Sequence, residues 1–254
     1  MKVTFLGTGT SQGVPVIGCE CPVCKSLDFR DKRTRSSIFI QVEELNVVVD
    51  TGPDFRMQML QNQVKKLDAV LFTHEHKDHT AGLDDIRPFN FKQKKDMPVY
   101  GRKQVLEQIS AEFAYVFSQK KYPGVPQVNR IEIDERPFKI DGVEIVPLPV
   151  WHYKLPVLGF RIKDFAYITD ANSIPEETFE KLKGVKVLVL NALQKTPHIS
   201  HFTLEEAVEV ARRVKAENTY FTHISHKLGE HAEIDESLEN GISLAYDGLV
   251  LNLD

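Results

Sequence analysis

The chain has 254 residues and a formal charge of −4 at neutral pH. Its length supports one large domain or two small ones, with enough apolar surface to fold without disulfide staples. The mild charge argues against a strongly basic nucleic-acid surface, and no run approaches the ~20 apolar residues of a membrane span.

Residues 2–6 read as a strand rather than a signal peptide, which points to the cytoplasm. Gly7-Thr8-Gly9-Thr10-Ser11 is a Gly-rich turn, expected to be structural and to help shape a site. The loop that follows holds all three cysteines, Cys19, Cys21 and Cys24. In a reducing compartment, clustered thiols bind metal rather than form a disulfide framework. Residues 36–42 and 46–49 are apolar and β-branched and read as a hairpin. Asp50-Thr51-Gly52-Pro53-Asp54 then ends the strand and opens a helix over 54–63. Residues 69–72 form a short buried strand that delivers His74-Glu75-His76-Lys77-Asp78-His79 on its C-terminal loop. Residues 97–100 are another strand, and Leu106, Ile109, Phe113 and Val116 stand at helical spacing over 103–117. The aromatics Phe113, Tyr115, Phe117 and Tyr122 read as core. Lys92, Lys94, Lys95, Lys120 and Lys121 read as solvated faces.

The second half repeats this grammar. Strands are expected near 130–133, 143–150, 157–162, 165–169, 185–190, 219–222 and 249–253, with helices over 175–183 and 203–215. Thr203-Leu204-Glu205-Glu206 has the form of a capping box, with Leu204, Ala207, Val208 and Ala211 facing inward. No linker or short repeat divides the halves, and each has the elements of a sheet covered by helices.

The chemistry concentrates in three places. Three imidazoles and two carboxylates lie within residues 74–79, a poor surface and a worse core. Imidazole nitrogens suit transition ions, and carboxylates suit the harder of them. His74 and His76 can face one point while Asp78 and His79 bend round to a second, so one segment can serve two ions. Strand ends elsewhere lead to His152, Asp170 and His223, and loops at strand ends are positioned by a rigid scaffold. Second, Cys19-x-Cys21-x2-Cys24 supplies three thiolates. A tetrahedral structural zinc needs a fourth ligand, for which His226, three residues after His223, is the candidate. Third, His198 and His201 precede the capped helix, whose N-terminus favours an anion. Asp50 is expected to orient a metal-ligand histidine by a carboxylate–imidazole hydrogen bond. His231 reads as solvated.

His74-x-His76-x-Asp78-His79, with His152, Asp170 and His223 downstream, resembles the metallo-β-lactamase superfamily. The resemblance covers the chain almost end to end. It implies one α/β domain over 1–254, a four-layer αββα sandwich, with two divalent ions, zinc or manganese. By that likeness His74, His76 and His152 hold one ion, Asp78, His79 and His223 the other, and Asp170 bridges them. True lactamases commonly carry Cys where this chain has Asp170, so the all-N/O site fits phosphodiester or thioester hydrolysis better than β-lactam opening. The cysteine loop is similar to that of the cyclic-phosphate phosphodiesterases of bacterial phosphonate breakdown, where a structural zinc clamps the N-terminal loop. In that likeness His201, 22 residues before His223, aids leaving-group departure or binds phosphate; His198 is the alternative for that role.

The resulting expectation is a metal-dependent phosphodiesterase acting on a small or cyclic phosphodiester. Its catalytic residues would be Asp78 and His201. The rivals are a tRNA 3′-end endonuclease, a glyoxalase II-like thioesterase, and a non-catalytic metal or cofactor carrier like the cysteine-loop relatives of quinone-cofactor biosynthesis. Nucleic acid is not the favoured partner, no membrane is expected, and a homodimer is compatible with the resemblance.

Overall fold

A computed structural model describes residues 1–118 and 122–253. Lys120 and Lys121, read above as a solvated face, lie outside the described residues. The chain forms two compact units, one of Met1–Leu6, Ser37–Asp134 and Val250–Asp254, the other of Gly7–Ser36 and Glu135–Leu249.

The strands are β1 (Lys2–Gly7), β2 (Ser37–Val42), β3 (Leu45–Val49), β4 (Ala69–Leu71), β5 (Met97–Gly101) and β6 (Val128–Glu132). Then come β7 (Phe138–Ile140), β8 (Val143–His152), β9 (Leu155–Ile162), β10 (Phe165–Ile168), β11 (Val187–Asn191), β12 (Asn218–Thr222), β13 (Ile242–Leu244) and β14 (Val250–Asn252). The helices between them are α1 (Pro22–Lys25), α2 (Phe55–Gln61), α3 (Lys77–Thr80), α4 (Arg87–Gln93), α5 (Lys103–Glu112), α6 (Ala114–Phe117), α7 (Glu176–Leu182), α8 (Leu204–Val214) and α9 (His231–Ser237).

Among the described residues, the first sheet has seven strands in the order β14-β1-β2-β3-β4-β5-β6. The expected hairpin is present as antiparallel β2–β3, while β3, β4, β5 and β6 run parallel. Parallel strands covered on both faces read as unbroken apolar runs, and Val47, Val48, Val49, Ala69, Val70 and Leu71 are fully buried. Residues emerging from the C-terminal ends of β3 and β4 therefore leave one edge of the sheet.

The second sheet also has seven strands, β13-β12-β11-β10-β9-β8-β7. β10 to β13 are parallel, and β8 and β9 join them antiparallel. Two successive reversals give β8 the direction of β10. His152, Asp170 and His223 thus all stand at the C-terminal edge. The capping box of α8 forms as expected: Thr203 Oγ1 accepts from Glu206 N at 3.2 Å, and Glu206 Oε2 accepts from Thr203 N at 2.8 Å. Ala207 packs in one core with Leu188, Leu190 and Phe221, and Ala211 is buried.

Four expectations need correction. The helix expected over 103–117 breaks at Phe113, whose φ −104° and ψ 41° leave the helical basin. Tyr115 and Tyr122 are 46% and 79% exposed, so the aromatic series is not all core. His231 is buried rather than solvated. Its Nδ1 lies 2.9 Å from Arg33 Nη2, and its backbone N–H donates to Asp31 Oδ1 at 2.8 Å. A guanidinium only donates, so this imidazole accepts. Last, β7 and β13 were not expected. Three residues are too few to show a period of two, and their neighbours in the sheet define them.

Candidate metal centre

In the first unit, the chain leaves β3 at Asp50, whose φ of 66° is left-handed. Asp tolerates that basin better than most residues. The turn aims a fully buried carboxylate back at the loop after β4. Asp50 Oδ1 accepts from Thr73 N at 2.9 Å, and Oδ2 accepts from Thr73 Oγ1 at 2.8 Å and His79 Nδ1 at 2.7 Å. Burial pushes the Asp50 carboxyl up, and His79 beside it and these donors pull against it. With Nδ1–H given to Asp50, the lone pair of His79 is on Nε2, which lies 3.2 Å from Asp78 Oδ2. The His74 ring is 4.2 Å from that of His79 and 4.6 Å from that of His76. The four expected ligands of this segment are therefore gathered on α3 and the loop before it. Gly82 seals the arrangement: a Cβ there would stand 2.1 Å from the Gly52 carbonyl oxygen, so only glycine lets the loop close on the Asp50 turn.

In the second unit, His152 ends β8 and its Nδ1–H donates to the Ser200 carbonyl at 2.8 Å, which puts the ring's lone pair on Nε2. Asp170 and His223 follow β10 and β12 with left-handed φ of 54° and 55°. Such backbone is uncommon for residues other than glycine, and strain of this kind collects at functional sites. Asp170 Oδ2 accepts from Thr169 Oγ1 at 2.7 Å and lies 3.2 Å from His223 Nδ1; its Oδ1 lies 3.7 Å from His201 Nδ1. The His201 ring stacks on His223 at 4.8 Å and 20°, and is 4.5 Å from His152. One ligand atom each of His152, Asp170 and His201 lies within 4.8 Å of the others. Burial pushes His201 down to about 3, against the pull of Asp170. His198 is exposed, 5.1 Å from the His201 ring. The structure thus brings His152, Asp170, His201 and His223 together, with His198 at the rim.

The cysteine loop folds back on the segment after His223. Sγ of Cys19, Cys21 and Cys24 lie 3.3, 3.4 and 3.5 Å from His226 Nδ1. Zn–S bonds of about 2.3 Å and a Zn–N bond of about 2.0–2.1 Å give tetrahedral S···N edges of about 3.5 Å, so this donor set fits such an ion. Backbone N–H groups of Cys24 and Val16 point at Cys21 Sγ and Cys24 Sγ, each at 3.4 Å. The Cys24 N–H holds the Cys21 thiol down at about 6, while burial lifts Cys24 to about 11. Among the described residues the three cysteines form no disulfide.

Sequence reading missed the groups that hold these side chains in place. Asn191, at the end of β11, accepts from Ala171 N at 2.8 Å and donates to Ala171 O at 2.9 Å, which fixes the loop of Asp170. The Ser200 carbonyl that orients His152 has no signature at all, since any residue offers one. An Asn closing a buried strand is the one signal that could have been used.

A family model described as a β-lactamase superfamily domain matches residues 45–224. A crystal structure of a diphosphatase from the PhnP family is 40% identical, with a TM-score of 0.93, over 100% of this chain and 98% of that one. Zinc-bound PqqB from Methylobacterium extorquens shares the fold at 20% identity and a TM-score of 0.79, with full coverage of both chains. A protein of Porphyromonas gingivalis named octanoyltransferase is 38% identical across the whole chain, which spans about half (52%) of that protein's length. A ribonuclease Z of Staphylococcus epidermidis is 25% identical over 82% of the chain and 60% of its own length. The chain belongs to the β-lactamase superfamily, close to the PhnP family.

Proposed function

We propose that this β-lactamase-superfamily hydrolase is a dinuclear phosphodiesterase acting on a small or cyclic phosphodiester. The observation that carries the reading is its donor set. Among the described residues, the candidate ligands of the hydrolytic site are imidazoles and carboxylates, and Asp170 turns its two oxygens toward different imidazoles, as a bridging carboxylate must. The related structure described as a diphosphatase and the ribonuclease Z relatives are named for cleaving phosphorus–oxygen bonds. Octanoyl transfer is not carried over, because it names a protein about twice as long.

In this proposal His74, His76 and His152 hold one divalent ion and Asp78, His79 and His223 the other, with Asp170 shared. The ions are zinc or manganese. They supply Lewis acidity and a nucleophile at neutral pH. Asp50 and the Ser200 carbonyl keep His79 and His152 in the tautomer that presents Nε2. Asp78 and Asp170 orient the attacking water, and Asp78 accepts its proton. His201 donates to the leaving oxygen or binds the phosphate. Free, it is neutral at working pH; an anionic phosphate beside it raises its proton affinity. Cys19, Cys21, Cys24 and His226 hold a structural zinc, which suits a reducing compartment such as the cytoplasm.

The test is hydrolysis by the metal-reconstituted protein. Cyclic phosphates, linear diesters, precursor tRNA and S-lactoylglutathione are compared side by side. Turnover of small phosphodiesters above the others is expected; preference for precursor tRNA or the thioester would replace the reading, and inactivity on all four would favour a carrier. His201→Ala should cost about 10²–10⁴-fold on a diester with a poor leaving group. It should cost far less on a p-nitrophenyl diester, whose leaving group needs no proton. Equal loss on both would remove the acid role.

A further inference from the structure

Three chemistry-bearing segments of the second unit adjoin one another: the turn after His152, the loop of Asp170, and the stretch before His201. One side chain touches all three. Asn172, two residues past Asp170, accepts from Tyr153 N at 2.7 Å through Oδ1 and donates from Nδ2 to Ile199 O at 3.0 Å. Its backbone N–H also donates to Trp151 O at 2.9 Å, and Trp151 N donates to Ser173 O at 2.9 Å. Tyr153 has a left-handed φ of 58°, uncommon for a bulky residue, so the turn it makes needs an external hold. Beyond Ile199, the Ser200 carbonyl takes the His152 Nδ1–H, and Phe202 N donates to Ala171 O at 2.8 Å. His201 therefore sits in a strap tied at Ile199, Ser200 and Phe202 to the loops of His152 and Asp170.

We propose that Asn172 is a positioning residue for the hydrolytic reaction: its amide clamps the turn after His152 and the strap of His201 onto the loop of Asp170. Only a side chain with a donor and an acceptor at opposite corners of one planar group makes both bonds at this reach. Asp keeps the acceptor for Tyr153 N–H but turns the donor into an oxygen facing the Ile199 carbonyl. It releases the His201 strap alone. Ala releases both. Gln carries the same groups one methylene too far. A displacement of about 1 Å in a positioned group can cost about 10²-fold in rate, so loss of the clamp is felt first in the step that uses His201.

This inference rests on the phosphodiesterase reading, and its test separates the two. Asn172→Asp, the same shape as the natural residue, is the main variant, with Asn172→Ala beside it. In the metal-free protein, nitrogen-15 NMR of the histidine rings needs no substrate. Asn172→Asp is expected to shift the His201 ring signals while leaving those of His226 and His231 in place. With substrate, it is expected to lower kcat about 10-fold or more on the poor-leaving-group diester, with KM little changed, and less than about 3-fold on the p-nitrophenyl diester. Combined with His201→Ala, it is expected to add nothing. Unmoved His201 signals, equal losses on the two diesters, or an additive double variant would overturn the clamp. If no phosphodiester is cleaved, the ring signals still decide the clamp, and only the functional reading falls.

Discussion

Asp50→Asn changes one atom of a fully buried side chain. The natural carboxylate offers two oxygens to three donors: Thr73 N, Thr73 Oγ1 and His79 Nδ1. An amide has one oxygen and one NH2, so one corner must stop accepting. If the NH2 faces the Thr73 N–H, two buried donors oppose each other, which costs about 1–3 kcal/mol. If it faces Thr73 Oγ1 and His79, the hydroxyl can turn to accept, but the imidazole must move its proton to Nε2. The second arrangement keeps the Thr73 N–H paired and is the expected one. It removes the lone pair that His79 would offer an ion. Loss of such a carboxylate–imidazole contact typically costs 10–100-fold in metal affinity, or about 1.4–2.7 kcal/mol. Calorimetric titration of the metal-free protein with zinc or manganese should show one site weakened by that factor. The Cys19-Cys21-Cys24-His226 site serves as the internal control. Unchanged affinity at every site would refute the assignment of Asp50 and His79.

Other perturbations follow from the same geometry. Cys24→Ser should remove one bound metal ion per chain and lower the melting temperature, read by elemental analysis and calorimetry; retention of the full metal complement would contradict the Cys3His site. Gly82→Ala would place a Cβ 2.1 Å from Gly52 O and 2.8 Å from Phe55 Cβ. The backbone must yield, at a cost of about 1–3 kcal/mol or more in denaturant melts, and unchanged stability would mean the Asp50 turn and the histidine loop do not close as described. His231 is held down to about 4, chiefly by burial and then by Arg33, against an unfolded value of about 6.5. Its neutral form belongs to the folded state, so its contribution is complete above pH 6.5 and is lost as pH falls through 4, by up to about 3 kcal/mol. His231→Asn should flatten the stability curve between pH 4 and 6.5; an unchanged slope would place the titration elsewhere.

What the sequence made legible was local or chemically crowded. Six consecutive residues, His74 to His79, carry their own signal, and so do three cysteines in six positions. That Asp50 orients a metal-ligand histidine could be read because it follows an apolar strand; that the histidine is His79 could not. The Thr203–Glu206 capping box needs no tertiary information. What stayed hidden depends on distant partners. His231 is buried because Arg33, nearly two hundred residues earlier, donates to it. Phe113 fits the helical pattern, and only its backbone angles show that α5 has ended. Asn172 looks like an ordinary turn residue and Asn191 like the polar end of a buried strand, since a chain written in one dimension does not show which backbone groups their amides will meet. His201 could be picked out only alongside His198, and preferred only by the family resemblance, whereas its stacking on His223 and its low pKa belong to the folded second unit.

Elemental analysis of the purified protein after equilibration with zinc or manganese and removal of loose metal tests the central claim most directly. The account predicts three divalent ions per chain, two of them lost or weakened together in Asp170→Ala and the third lost only in Cys24→Ser. A single ion per chain, or an Asp170→Ala variant that keeps all three with unchanged affinity, would contradict a paired metal centre bridged by that carboxylate.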